Sequence, residues 1–341
     1  MFLGGDKMTS SELMKKLFIA FSKQDNEEFY RIAEEFINLE KRKKHNIVAK
    51  ELKEALYTHK NNAEVKKRYR ENIPIPRDND SGFPLLEIKE YDLEWEQLIL
   101  SRENKYVLSQ IIHELKASEI LSTYNLKAMN KILFCGAPGT GKTYSAQVLS
   151  SVLRIPLVYI RFDSIISSYL GETATNLRKV FEFIKNGMWI VLFDEVDIIG
   201  KNRNDQHESG EIKRVVNNFL QMLDNYEGNS ILIAATNHPH ILDPAVWRRF
   251  DEVIKFELPN LEERYELLNL FLRPIKKQKN IDLHYFSVKT EGFTPSDLKL
   301  MCKEAMKHAI IQGKGILEIP DLEYAASRFT ARFSVRTDYI E

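Results

Sequence analysis

Eight residues near the middle of the chain, Gly136-Ala137-Pro138-Gly139-Thr140-Gly141-Lys142-Thr143, restrict what it can fold into more than any other stretch. Glycine tolerates the left-handed backbone of a tight curl, and in such a curl several N–H groups point at one centre. The apolar run Lys131–Cys135 leads into these residues, and a helix-compatible segment starts at Lys142. The pattern G-x-x-x-x-G-K-[ST] between strand and helix is a phosphate cradle, and the helix N-terminus adds partial positive charge. Lys142 is expected to reach the β- and γ-phosphates of ATP, and Thr143 to hold Mg²⁺ through its hydroxyl. The nucleotide contacts are expected to run from Gly136 through Thr143 to Tyr144. The loop alone implies binding rather than hydrolysis.

Four further apolar runs, Leu157–Phe162, Trp189–Phe193, Ile231–Ala235 and Val253–Phe256, are separated by helical segments. Strands alternating with helices specify an α/β fold with a parallel sheet. A polar-faced helix over Asn104–Leu121 comes before this pattern, and from Pro259 the reading is helical, with turns at Gly292 and at Gly313 to Gly315. Upstream, Ile73-Pro74-Ile75-Pro76 and Ser81-Gly82-Phe83-Pro84 bracket a linker, because proline blocks helix continuation. Before it, Leu13, Leu17 and Phe21 share one helical face, and Phe29, Ile32, Phe36 and Leu39 a second. Ile47 or Val48, with Leu52 and Leu56, make a third, and Ser10 or Ser11 and Asp25 offer N-caps. About 60 residues is marginal for a lone core, so this module is expected to lean on a partner. The division is a helical partner or substrate module over 1–72, a linker over 73–84, a nucleotide-binding part over 85–258 and a helical part over 259–341.

Lys plus Arg equals Asp plus Glu, 49 against 49, which argues against wholesale electrostatic binding to nucleic acid or an anionic membrane. Two cysteines, Cys135 and Cys302, cannot build a disulfide framework and read as reduced, buried thiols. No stretch approaches the ~20 apolar residues of a membrane span, and Lys15 and Lys16 break the only candidate leader. A cytoplasmic protein is expected. The cluster Lys41 to His45 reads as a solvated helix end, and His238-Pro239-His240 lacks the carboxylate or thiol company of a metal site.

The run Ile190–Phe193 ends in Asp194-Glu195. Ligands of open α/β sheets sit beyond the carboxyl ends of the strands, so Asp194 is placed to hold Mg²⁺ and Glu195 to polarise an attacking water. The next run ends in Thr236-Asn237, and the Asn237 amide can span from the γ-phosphate to that water. A segment carrying Arg248 and Arg249 follows.

These features in this order resemble the AAA family of AAA+ ATPases, over about Lys105 to Ser327. The pattern is closest to the group containing katanin, spastin and related single-ring remodellers. Gly292-Phe293-Thr294-Pro295-Ser296-Asp297-Leu298 resembles the family's lid motif, without an arginine at Ser296. The resemblance implies strand order 5-1-4-3-2, a helical lid over the nucleotide and a homo-oligomer, a hexamer. It implies that Arg248 or Arg249 enters a neighbouring copy's ATP site, where a guanidinium fork stabilises charge on the transferring phosphoryl group. It also implies that Tyr169-Leu170-Gly171 lines a central pore and grips a polypeptide, with 202–210 as a second pore loop. The expected activity is ATP hydrolysis that remodels or unfolds a protein client. One alternative is a regulatory switch over an effector such as a subtilisin-like protease in phage defence. The other is a DNA-handling ATPase, which the zero net charge disfavours.

Overall fold

All but one of the apolar runs become strands buried on both faces, so consecutive residues are apolar, whereas the strand over Glu252–Phe256, at a sheet edge, buries only Ile254 and Phe256. In the computed structural model, Ile132, Leu133 and Phe134 are all fully buried. The structure describes residues 10–22, 26–43, 48, 52, 74–79, 81–161, 173–199, 209–242 and 244–338. Its contacts fall into two units, Met1–Ile73 and Pro74–Glu341.

The larger unit is built on six strands: β1 (Glu87–Lys89), β2 (Lys131–Gly136), β3 (Leu157–Arg161), β4 (Ile190–Asp194), β5 (Ile231–Thr236) and β6 (Glu252–Phe256). They lie in the order β1-β3-β4-β5-β2-β6. Read from β6, the five parallel strands have the expected order 5-1-4-3-2. The chain leaves β2, runs outward through β3, and returns to insert β5 between β4 and β2. That reversal opens a crevice beyond the strand ends, where ligands of such sheets bind. One face carries Ile132, Phe134, Ile190 and Leu192 against the helices Arg102–Lys116 and Lys142–Leu153. On the other, Phe193 meets Phe181 and Phe219, with ring centroids 5.7 and 5.3 Å away, from the helices Thr173–Lys185 and Ser209–Asp224.

The helix expected over Asn104–Leu121 is two, Arg102–Lys116 and Ser118–Thr123, and three features before Glu90 also depart from the sequence reading. β1 is antiparallel to β3 and caps the sheet edge, but its residues are all exposed and show no apolar run. The proline-bracketed stretch is a tight loop over its described residues, with Asp78 N–H donating to Phe83 O at 3.0 Å and Leu85 N–H to Pro76 O at 2.9 Å. Buried Asp78 accepts from Ser81 and, at 2.7 Å, from Asn176 Nδ2 on the helix Thr173–Lys185. Lys179 of that helix donates to Arg77 O and Asn79 Oδ1. The third departure is Phe21, which is 72% exposed. Position i+8 has drifted about 80° round the helix from Leu13, so Ala20 at i+7 is buried instead.

In the smaller unit the helices Ser10–Ser22 and Asn26–Arg42 pack through Leu13, Ala20 and Ile32. Asp25 lies outside the described residues, and of the third segment only Val48 and Leu52 are described, Leu52 against Ala33 and Ile37. Within the basic cluster, Lys43 pairs with Glu40 at 3.1 Å.

The C-terminal helices Leu261–Phe271, Leu283–Lys289, Pro295–Ile311 and Ile319–Asp338 enclose a core of Leu268, Phe286, Leu298 and Met301. Capping boxes start two of them, Asn260 with Glu263 and Thr294 with Asp297. A two-residue parallel ladder, Lys276–Lys277 with Ile316–Leu317, was not legible in the sequence. Cys135 and Cys302 are free and buried, and burial pushes their thiols up to about 11 and about 12. Among the described residues no helix is long and apolar enough to cross a membrane.

Asp78→Ala removes the acceptor that ties the loop to Asn176. The expected loss is about 2 kcal/mol, read as a fall of about 5 °C in Tm. An unchanged Tm would mean that this contact does not hold the loop.

Candidate nucleotide site

β2 ends at Gly136, whose φ is +153° and whose missing Cβ would sit 2.1 Å from Phe256 O on β6. Only glycine lets the chain leave the strand so close to its neighbour. The curl that follows brings Lys142 back over its own start, where Nζ donates to Gly136 O at 2.7 Å and to Ala137 O at 2.9 Å. Burial lowers the Lys142 pKa, against the pull of Asp194 and Asp197. This is a largely desolvated cation whose near partners are neutral carbonyls, an arrangement that an anion would improve.

The strand ends converge on this loop. Asp194 closes β4, and its Oδ2 accepts from Thr143 Oγ1 at 3.1 Å and from the Tyr159 hydroxyl at 3.0 Å. Its Oδ1 accepts from the Glu195 N–H at 3.1 Å. Glu195 is exposed and has a left-handed backbone, φ +58°, which costs a non-glycine residue about 1 kcal/mol and turns the chain sharply at the strand end. Thr236 closes β5 in register with Cys135 of β2, so the half-buried Asn237 follows at the level of the loop. Thus Lys142, Thr143, Asp194, Glu195 and Asn237 are brought to one end of the sheet. Asp197 is buried, with its Oδ2 4.0 Å from His238 Nε2.

The helical subdomain reaches the loop through backbone. Ser296 N–H donates to Gly139 O at 3.2 Å. Gly139 has φ +82°, and a Cβ there would lie 2.9 Å from Thr294 Oγ1. A cleft of about 110 Å³ opens beside Thr140, lined by Ile99, Leu100, Phe256, Asn260 and Pro295 among others. Its walls come from four separated stretches, and no local pattern marks Ile99 or Leu100. Tyr144 does not line this cleft; it packs against the core, and its hydroxyl contacts Gln97 Oε1 at 3.4 Å. Burial raises its pKa.

The two arginines differ. Arg249 is half-buried, with Nε 3.3 Å from Asp224 Oδ2 and Nη1 donating to Ala245 O at 2.7 Å. Arg248 is exposed and forms no ion pair among the described residues. Tyr169, Leu170 and Gly171, and the second pore loop apart from its last two residues, lie outside the described residues.

The site fits a nucleotide with a hard divalent cation. A hydroxyl and a carboxylate within hydrogen-bond distance are the oxygen donors Mg²⁺ takes, and the desolvated ammonium suits phosphate. Comparison with known proteins agrees. Residues 132–258 match the model of the ATPase family associated with various cellular activities (AAA), and residues 280–323 match the AAA+ lid domain. An uncharacterized AAA family ATPase of Sinorhizobium fredii, y4kL, is 34% identical over 323 residues, 93% of this chain and 94% of that protein. The chain therefore belongs to the AAA family and is an ATPase of that family. The proteasome-activating nucleotidase of Saccharolobus solfataricus is 35% identical over 225 residues, 64% of this chain but 57% of that one. The cell division cycle protein 48 homolog of Archaeoglobus fulgidus is 34% identical over 248 residues, 71% of this chain and 34% of its own length.

Lys142→Ala should abolish binding of a fluorescent ATP analogue. Gly139→Ala should weaken it about tenfold, because a methyl group there strains the left-handed backbone and crowds Thr294. Titration of both variants checks this, and native affinity in Gly139→Ala would show that the lid contact does not matter for binding.

Proposed function

We infer that this chain hydrolyses ATP at the interface between two copies in a ring, a hexamer, and uses the turnover to remodel a polypeptide client. The observation that carries the reading is the contrast between the arginines: Arg249 is tied to Asp224 and Ala245, whereas Arg248 is exposed. The anchored residue fixes the segment, and the exposed guanidinium is available to a neighbouring copy's phosphates.

Within one copy, the cradle N–H groups and Lys142 bind the phosphates, and the cleft beside Ile99 and Leu100 takes the base. Thr143 and Asp194 would hold Mg²⁺, which when bound offsets phosphate charge. Glu195 polarises the attacking water, and Asn237 orients it against the γ-phosphate. Ser296 couples the lid to Gly139 by a backbone bond, so the lid responds to what the loop holds. A neighbour's Arg248 completes the charge stabilisation, and hydrolysis therefore depends on assembly.

The client reading rests on the resemblance of Tyr169-Leu170-Gly171 to an aromatic pore triplet, and on the likeness to katanin and spastin for a single ring. A second reading is a ring that gates a protease. It is favoured by the similarity to proteins named proteasome-activating nucleotidases, though nothing points to a subtilisin-like partner. Peptide stimulation of ATPase activity that disappears in Tyr169→Ala supports the first. Co-purification of a protease through residues 1–72 supports the second.

Arg248→Ala should keep ATP affinity and lose about 10³-fold in turnover, with a far smaller loss of Tm than Arg249→Ala. Glu195→Gln should bind ATP without hydrolysing it. Mixing Arg248→Ala with Glu195→Gln should restore part of the activity at mixed interfaces, measured as phosphate release. No recovery at any mixing ratio rejects donation between copies.

A further inference from the structure

Tyr159 stands third in β3, between β1 and β4, in register with Leu192 and therefore two residues short of the level of Asp194. Side chains on a strand repeat every two residues, so Tyr159 shares the face of Asp194. Two residues of parallel strand span about 6.6 Å. A serine, threonine or asparagine at this position would fall short of that carboxylate. The phenol bridges the gap, and its hydroxyl donates to Asp194 Oδ2 at 3.0 Å. The ring packs against the sheet core, and Lys89 Nζ of β1 lies 5.5 Å from its centroid.

An ionised carboxylate offers about four lone-pair sites. The Glu195 N–H takes one on Oδ1, and Thr143 and Tyr159 each take one on Oδ2. This leaves about one site for a water on a metal ion. A hydroxyl can give its proton to a carboxylate while its oxygen ligates a metal, so the Thr143 bond is compatible with a loaded site. The Tyr159 hydroxyl gives its proton to the same carboxylate oxygen. It comes from β3, which lies on the opposite flank of β4 from β5 and the cradle strand β2.

We propose that Tyr159 is a positioning residue for the divalent metal: its hydroxyl fixes the orientation of Asp194 and thereby sets the affinity for Mg²⁺ in the nucleotide complex. This rests on the reading of Asp194 as the carboxylate that holds the metal. Partners of this kind, one shell removed from the ion, are typically worth about 10–100-fold in metal affinity. A phenol that merely satisfies its own hydrogen bond would leave the metal untouched.

The test is a Mg²⁺ titration of the full chain with a fluorescent, non-hydrolysable ATP analogue, and a parallel Mn²⁺ titration followed by electron paramagnetic resonance. Tyr159→Phe keeps the ring and should raise the Mg²⁺ and Mn²⁺ concentrations for half-saturation about tenfold. Its affinity for the analogue in excess EDTA should stay within about twofold, by the same argument that only the metal is affected. Tyr159→Met serves the same purpose should the phenylalanine variant not fold. Asp194→Asn tests the underlying reading: it should shift metal dependence further, and adding Tyr159→Phe to it should change nothing more. If Asp194→Asn moves the metal curve and the Tyr159 variants do not, the positioning role is overturned and Asp194 stands. If Asp194→Asn does not move it either, both fall. A loss of analogue binding in EDTA equal to the loss in Mg²⁺ also overturns the proposal, since it marks a general disturbance of the cradle.

Discussion

A lysine ammonium held away from water is the interaction around which the site is organised. Lys142 Nζ rests on the carbonyls of Gly136 and Ala137, and burial depresses its pKa. A cation in that position is tolerable only where backbone dipoles and nearby carboxylates offset its lost hydration. The strand that anchors the loop must therefore be central, so that β5 and β6 on its flanks bring their own ends to the same level. The switch in strand order produces that arrangement. The phosphate cradle, the acids and Asn237 come from segments far apart in the chain, yet each is the residue at which a buried strand stops.

The same constraint explains the lid. A loop whose N–H groups converge on an anion leaves carbonyls pointing elsewhere, and Gly139 O is taken by Ser296 N–H. Backbone recognises backbone here, which requires no particular side chain at Ser296. The requirement falls on Gly139, where space and φ leave room only for hydrogen. The lid helix is in turn fixed by the Thr294 and Asp297 capping box, so the contact is made by a rigid element and not by a loose end.

Much of this was legible in the sequence because it is written in residue type and spacing. Gly136 to Thr143, Asp194-Glu195 and Asn237 each sit at the end of an apolar run, and the runs became the strands in the expected order. What was not legible depends on partners distant in sequence. β1 has no apolar pattern because it pairs through backbone at an exposed edge. Tyr159 reads as one more apolar strand residue until β4 is laid beside it. Adjacent Arg248 and Arg249 are equivalent as letters, and burial with the contacts to Asp224 and Ala245 O sets Arg249 apart. Tyr144 follows the cradle in sequence, but the helix turns it toward Gln97 and the core. Phe21 falls outside the buried stripe because 3.6 residues per turn carries i+8 off that face.

The short antiparallel strand at the sheet border has a consequence for how copies can meet. An unprotected outer strand invites another chain to zip on through its free N–H and C=O groups. Here that border is three residues long, with Glu87 and Lys89 paired at its two ends. It is too brief and too charged to template a continuing ladder. Contacts between molecules on this flank must then be made by side chains, which can separate and re-form without unpicking the backbone of the domain.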